Sequence, residues 1–196
     1  MAIILDPNLE LELLQKAQNQ DADAFGRLYD AYIKKIYAFI YYKTLDQETA
    51  EDISSLVFMK AWKNINQFKQ GSFAAWLYTI ARHAVTDHYR RQTKTVDIED
   101  CWDLADDTDL INETDKAMRL ADIKKALAKL KSREREIIIM RLWLDLPFQE
   151  IAQRLEQKEG AVKMAFSRAL SRLKNEVPLH LLILAPLIIG GGPKNI

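Results

Sequence analysis

Residues 72–91 read SFAAWLYTIARHAVTDHYRR, a segment that can bury only one side of a helix. Trp76, Leu77, Ile80, Ala81, Ala84 and Val85 recur at helical spacing and line a single apolar stripe. Arg82, His83, Asp87, Arg90 and Arg91 fall on the other face or at its end, and Ser72 stands where an N-cap belongs. A long helix held from one side and equipped with polar groups on the other is predicted. Two more stripes precede it. Phe25, Leu28, Tyr29, Tyr32, Ile36, Phe39 and Ile40 make the first; Ile53, Val57, Phe58, Ala61, Trp62 and Ile65 make the second. Asp46, Glu48, Glu51 and Asp52 open the second stripe, and acidic groups suit the positive end of a helix. Residues 66–71, NQFKQG, read as a short loop. No strand pattern and no internal repeat stands out, so residues 8–92 are expected to form one all-α bundle.

Charge divides the rest of the chain. The formal net charge is zero, which rules out a uniformly basic nucleic-acid binder. From Asp97 to Asp115, however, there are nine Asp or Glu and no Lys or Arg; from Lys131 to Lys174, ten Lys or Arg stand against six Asp or Glu. Residues 93–115 therefore read as an acidic, flexible linker. The basic block behind it is either a surface for a polyanion or a set of solvated helix faces. Residues 116–177 read as helices again: a lead-in from Met118 to Leu130, one from near Ser132 as N-cap, a turn at Leu144–Pro147, one from Phe148 to Leu155 with Pro147 at its first position, and one from Glu159 to Asn175.

The last two of these helices have the form of a helix-turn-helix. Phe148, Ile151, Ala152 and Leu155 face Val162, Phe166, Ala169, Leu170 and Leu173. The outward side of the second helix carries Lys163, Ser167, Arg168, Ser171, Arg172 and Lys174. Such a helix can lie in the major groove, its basic groups on phosphates. A helical hairpin with a solvated basic face has the same pattern.

Both blocks resemble bacterial sigma factors of the extracytoplasmic-function (ECF) type, over about residues 22–91 and 126–177. The first carries Trp76-Leu77-Tyr78, Ile80-Ala81-Arg82, Asp87, the Arg90-Arg91 pair and an acidic helix start at Ala50-Glu51-Asp52, followed by Val57-Phe58 and Ala61-Trp62. The second carries Leu127 and Leu130, Arg133-Glu134-Arg135-Glu136, Phe148-Gln149-Glu150-Ile151-Ala152, Gly160-Ala161-Val162-Lys163 and Arg168-Ala169. The resemblance implies a sigma region 2 bundle that binds the β′ clamp helices of core RNA polymerase and captures the −10 element, and a region 4 module that binds the −35 element, with the β flap as a further polymerase contact. It assigns Asp52, Ser55, Leu56, Phe58, Met59 and Trp62 to polymerase. It assigns Asn66, Gln67, Phe68, Lys69, Arg82, His83, Asp87, Arg90 and Arg91 to −10 DNA, and Lys158, Lys163, Met164, Ser167, Arg168 and Arg172 to −35 DNA. It also implies an anti-sigma partner. An extruded base needs an aromatic or apolar wall and polar edges, which residues 66–69 could supply; Phe68 could equally be core.

The chain departs from the family's usual pattern. Glu156, Gln157 and Lys158 replace the usual glycine, apolar residue and Ser cap of the inter-helix turn, and Met164-Ala165 replaces Ser-Arg. Glutamate is a poor left-handed residue and lysine cannot cap. The fold is expected to survive, with −35 reading altered. Ser55 and Leu56 similarly replace Gln and an acidic residue.

Enzymatic readings find no support: there is no Gly-rich phosphate loop, nucleophile elbow or zinc ligand set, and no cofactor or metal is implied. The single cysteine, Cys101, allows no internal disulfide, and with no signal-peptide pattern at the start this fits a cytoplasmic protein. Two other readings stay open: a stand-alone helix-turn-helix regulator, and a degenerate sigma paralogue with weakened −35 readout. Residues 178–196 form an apolar tail. Its run Leu179–Ile189 is shorter than the about 20 residues that cross a bilayer; it folds back, docks a partner or touches a membrane surface.

Overall fold

The computed structural model describes residues 5–44, 46–69, 71–92 and 115–183, the side chains of residues 92, 115–120 and 124 aside. The described residues contain helices and no strand. Residues 93–114 of the expected acidic linker, Cys101 among them, and the tail from residue 184 lie outside them; Asp115, expected to end the linker, opens a helix.

Helix α1 (Pro7–Gln18) starts where Asp6 accepts hydrogen bonds from the Asn8 and Leu9 N–H groups, with Pro7 just inside the helix. Helix α2 (Ala22–Thr44) is the spine of the first bundle: α1, α3 (Gln47–Lys63) and α4 (Phe73–Gln92) all pack on it, and α3 packs on α4. The expected stripes supply this core. Leu28, Ile36, Phe39, Ile40, Val57, Ala61, Ile65, Leu77 and Ala81 are fully enclosed. Aromatic rings close the gaps, with Phe25 on Trp62, Tyr29 on Phe58 and Phe39 on Tyr78 at centroid separations of 4.9, 4.7 and 4.8 Å. Such tilted and edge-on pairs add to the burial of their area.

The caps behave as their chemistry requires. Asp46 accepts the Thr49 N–H at 2.7 Å and starts α3; Ser72 accepts the Ala75 N–H at 3.2 Å and starts α4. Between them, Ile65–Gln67 tighten into a 3₁₀ turn, so the expected loop is partly ordered. The Gln18 side chain donates to the Phe68 carbonyl at 2.6 Å and ties that turn to α1.

The second group consists of α5 (Asp115–Ala128), α6 (Ser132–Leu142), α7 (Phe148–Arg154) and α8 (Glu159–Lys174). Helix α6 packs on α7 and α8, and α7 on α8. Three boundaries differ from expectation. Lys131 rather than Ser132 holds the cap position of α6, because the Glu134 carboxylate accepts the Lys131 N–H at 3.3 Å and takes over the capping task. Pro147 sits one place earlier than expected, at the N-cap of α7, where its fixed φ fits an extended cap as readily as a first helical turn. The lead-in helix starts earlier than Met118 and ends at Ala128. Helix α6 is buried along Arg135–Met140, which a one-sided amphipathic reading does not anticipate.

The turn between α7 and α8 has the geometry that its residues oppose. Glu156 takes φ 52°, a left-handed conformation usually left to glycine. Lys158 holds the N-cap of α8 with no side-chain hydrogen bond. The apolar contacts hold the motif regardless: Ile151, Ala152, Val162, Ala169 and Leu173 are buried, and Phe148 meets Phe166 edge-on at 5.3 Å. Beyond α8, residues 179–183 add a helical turn, Leu182 is enclosed, and its carbonyl accepts the Trp143 Nε1–H at 2.9 Å. The described start of the tail thus folds back.

Candidate functional site

Helix α3 turns two different faces outward and inward. Ile53, Ser54, Val57, Phe58 and Ala61 are buried against the bundle, and Ser54 discharges its hydroxyl on the Ala50 carbonyl at 2.6 Å. Asp52, Leu56 and Met59 are exposed on the outer face, with Ser55 half-buried beside them. Leu56 and Met59 are 36 % and 53 % exposed, two of the few large apolar side chains left in water. The two stand on one helix face, bordered by the acid Asp52. Two of the expected polymerase residues are not on it. Phe58 is only 3 % exposed, since its ring packs edge-on against Tyr29 and belongs to the core. Trp62 is half-buried against Phe25.

The −10 candidates split in the same way. Asn66, Gln67 and Lys69 are exposed, beside the start of α4. Phe68 is core: it is 8 % exposed and its ring meets Phe73 at 5.7 Å and Trp76 at 5.6 Å. It supports the turn from beneath and does not form an open wall. On α4, His83, Asp87, Arg90 and Arg91 are exposed and Arg82 is half-exposed, while Leu77, Tyr78, Ala81, Ala84 and Val85 are buried. The far end of α4 is fixed by Tyr89, whose hydroxyl donates to the Lys43 carbonyl at 2.7 Å.

On α8, Lys158, Lys163, Met164, Ser167, Arg168 and Arg172 are all exposed. They are not equally available. The Lys163 ammonium pairs with Glu159 at 2.6 Å and lies 5.9 Å from the Phe148 ring. Arg172 donates to the Glu134 carboxylate at 2.9 Å, which joins the C-terminal half of α8 to α6. Met164, 62 % exposed, stands between Lys163 and Ser167 at the N-terminal end of the helix. The face nearest the helix start is therefore mixed, apolar at Met164 and basic at Arg168, as groove-reading helices are.

Sequence reasoning missed one cluster. Tyr78 on α4 donates to Glu136 Oε1 on α6 at 3.1 Å, and Arg82 lies 3.6 Å from the same oxygen. Burial, and then the nearby Glu136 carboxylate, push the Tyr78 hydroxyl well above the ordinary tyrosine range. Arg154 on α7 donates to the Thr79 hydroxyl. The only sequence signal was a Glu inside an apolar helix, at Glu136-Ile137-Ile138-Ile139.

Two helical modules, one presenting an acidic-apolar helix face beside a polar and basic helix and the other a helix-turn-helix, have the form of a DNA-contacting factor. The comparisons specify the kind. Residues 28–95 match the family Sigma-70 region 2 and residues 120–173 match Sigma-70, region 4. The chain is 33 % identical over 174 residues to the ECF RNA polymerase sigma factor BldN of Streptomyces coelicolor, covering 86 % of this chain and 66 % of BldN. It is 27 % identical to the RNA polymerase sigma factor YlaC of Bacillus subtilis over 79 % of this chain and 92 % of YlaC. Among solved structures, CnrH in complex with the cytosolic domain of CnrY has the same fold, with a TM-score of 0.64 at 21 % identity over 85 % of this chain and 96 % of CnrH. The sigma factor RpoE of Bartonella quintana, in complex with the anti-sigma factor NepR, superposes with a TM-score of 0.55 at 25 % identity over 77 % of this chain and 94 % of that one.

The chain belongs to the ECF sigma factors. Its function is that of the family: it binds core RNA polymerase and directs promoter-specific initiation, and it has no catalysis of its own.

Proposed function

We propose that the three outward faces divide the work of initiation. The Asp52–Met59 face of α3 docks on core polymerase. Asn66, Gln67 and Lys69, with the exposed side of α4 from Arg82 to Arg91, hold the melted −10 strand. The exposed side of α8 from Lys158 to Arg168 reads the −35 element. The observation that carries this division is the mixed outer face of α3, with Leu56 and Met59 in water on a helix whose other side is fully packed. No described residue covers it, and a polymerase subunit would.

The −10 face has the right composition for single-stranded DNA: cations for phosphates and amide groups for base edges, held on a helix whose inner side is fixed. At −35, Arg168 supplies phosphate attraction and Met164 an apolar contact of the kind that suits a thymine methyl. The boundaries that follow are a region 2 bundle over residues 8–92, a linker over 93–115, a region 4 module over 116–177 and a tail from 178. Neither module need grip DNA strongly by itself, because polymerase holds both and raises their effective concentration. Working with polymerase, the protein acts in the cytoplasm. An anti-sigma factor is a further expected partner, supported by the likeness to RpoE, which was solved with one.

The test is footprinting of holoenzyme reconstituted from the full chain. Protection is expected at both elements, with permanganate-reactive thymines at −10 that disappear in an Asn66→Ala/Lys69→Ala variant. Protection at −10 without −35 would favour a second reading, a paralogue with weakened −35 readout, for which Glu156 at φ 52° and the uncapped Lys158 are the specific observations.

A further inference from the structure

The short turn after α3 carries three exposed −10 candidates, Asn66, Gln67 and Lys69, and its conformation decides where they point. A segment ordered before its ligand arrives loses less conformational freedom on binding. Part of the hold on this turn is local. The Asn64 side chain donates to the Lys60 carbonyl at 2.8 Å and accepts the Gln67 side-chain amide at 3.0 Å. The Phe68 ring lies on Phe73 and Trp76. The last carbonyls of a helical turn find no partner within it, and here the partner comes from α1. The Gln18 side-chain amide donates to the Phe68 carbonyl at 2.6 Å and reaches the Ile65 carbonyl at 3.5 Å. Phe68 is thereby caught at both ends, ring and carbonyl. The peptide unit that Gln18 holds is the one from which Lys69 leaves the turn.

Gln18 can act in this way because α1 is itself fixed. Leu13, Leu14 and Ala17 are buried, and the Tyr32 hydroxyl donates to Glu10 Oε1 at 2.8 Å. Just past the helix, the Asp21 N–H donates to the Lys16 carbonyl at 3.1 Å, and the Asp21 carboxylate accepts the Ala24 N–H at 2.9 Å. The Sigma-70 region 2 match begins at residue 28, beyond α1.

We propose that Gln18 is a positioning residue for capture of the −10 strand: from α1 it sets the Phe68–Lys69 peptide, and with it the directions in which Asn66, Gln67 and Lys69 meet DNA. Gln18 itself does not touch the strand. The proposal rests on the −10 reading above; the hold of α1 on the turn does not.

The experiment has two arms, both on the full chain. In the first, holoenzyme made with the parent selects its preferred single-stranded oligonucleotide from a random pool. Affinity for that oligonucleotide is then compared with affinities for its single-base replacements. Gln18→Ala removes the donor, and Gln18→Glu sets a carboxylate against the two carbonyls. Each variant is expected to co-elute with core polymerase as the parent does, and to discriminate between bases about tenfold less, the worth of one hydrogen bond. Gln18→Lys, which keeps a donor of similar reach, is expected to restore discrimination. A merely destabilised fold would lower the active fraction and leave the discrimination of the folded molecules unchanged. In the second arm, hydrogen exchange is followed in the free protein at the amides of Gln67 and Phe68, which donate to the Asn64 and Ile65 carbonyls at 2.8 and 3.1 Å. Gln18→Ala should quicken both about tenfold and leave the amides of α2 unchanged. A folded Gln18→Ala variant with the parent's discrimination, or with the parent's exchange at the turn, overturns the proposal. A parent holoenzyme that enriches no sequence, while Gln18→Ala still quickens exchange at the turn, would count against the −10 reading and leave the hold of Gln18 on the turn standing.

Discussion

Single residues carry costs and gains that can be measured one at a time. Glu156 holds a left-handed backbone that costs a side-chain-bearing residue about 1 kcal/mol or more. Glu156→Gly is therefore expected to stabilise the helix-turn-helix module by about 1 kcal/mol, seen as a higher denaturation midpoint with unchanged slope. Asp46 acts in the opposite sense. Hydrogen bonds from the Thr49 side chain and N–H hold its carboxyl below the ordinary carboxylate value. The stabilisation is fully present above that ordinary value and is lost as pH falls through the lowered folded value. Asp46→Ala should cost about 1 kcal/mol at neutral pH, and thermal melts of parent and variant should converge in strong acid. Much at this scale was legible from residue chemistry alone. The Asp46 and Ser72 helix starts, the difficulty at Glu156 and the missing cap at Lys158 all follow from what each side chain can accept or donate. The helical stripe puts Phe58 in the core, and it is the resemblance that assigns it to polymerase. Phe58 is 3 % exposed and packs edge-on against the Tyr29 ring, as the stripe required.

Elements were read well where one face is buried and poorly where two are. The stripes of α2, α3, α4, α7 and α8 point at the core as expected. Helix α6 does not fit that scheme, because Arg135–Met140 are enclosed by its own module on one side and by the first bundle at Glu136. An amphipathic pattern cannot announce a second burial that depends on another module. The crossing of α7 and α8 rests on small side chains, Ala152 and Ala169, both buried. Ala152→Leu should overpack it and cost about 1–3 kcal/mol, read as a lower melting temperature of the second module with the first unchanged. The exposed face of α8 gives a separate expectation. Arg168→Ala should weaken holoenzyme binding about equally across promoter sequences and reduce the slope of log affinity against log salt by about 1. A sequence-dependent loss would instead place Arg168 on base edges.

For the whole molecule, the sequence motifs named two modules in the right order, and the comparisons place the chain in that family. What the motifs could not reveal is the hydrogen bond between the modules, since Tyr78 and Glu136 are 58 residues apart and no local pattern links them. The account stands on polymerase docking through the outer face of α3. Its most direct test is co-elution of the full chain with core RNA polymerase on gel filtration, beside an Asp52→Arg variant. Asp52 is exposed and outside the core, so reversing its charge should change the stability by no more than about 0.5 kcal/mol while abolishing co-elution. A parent that fails to co-elute yet binds duplex DNA tightly by itself, or an Asp52→Arg variant that co-elutes undiminished, would contradict the account.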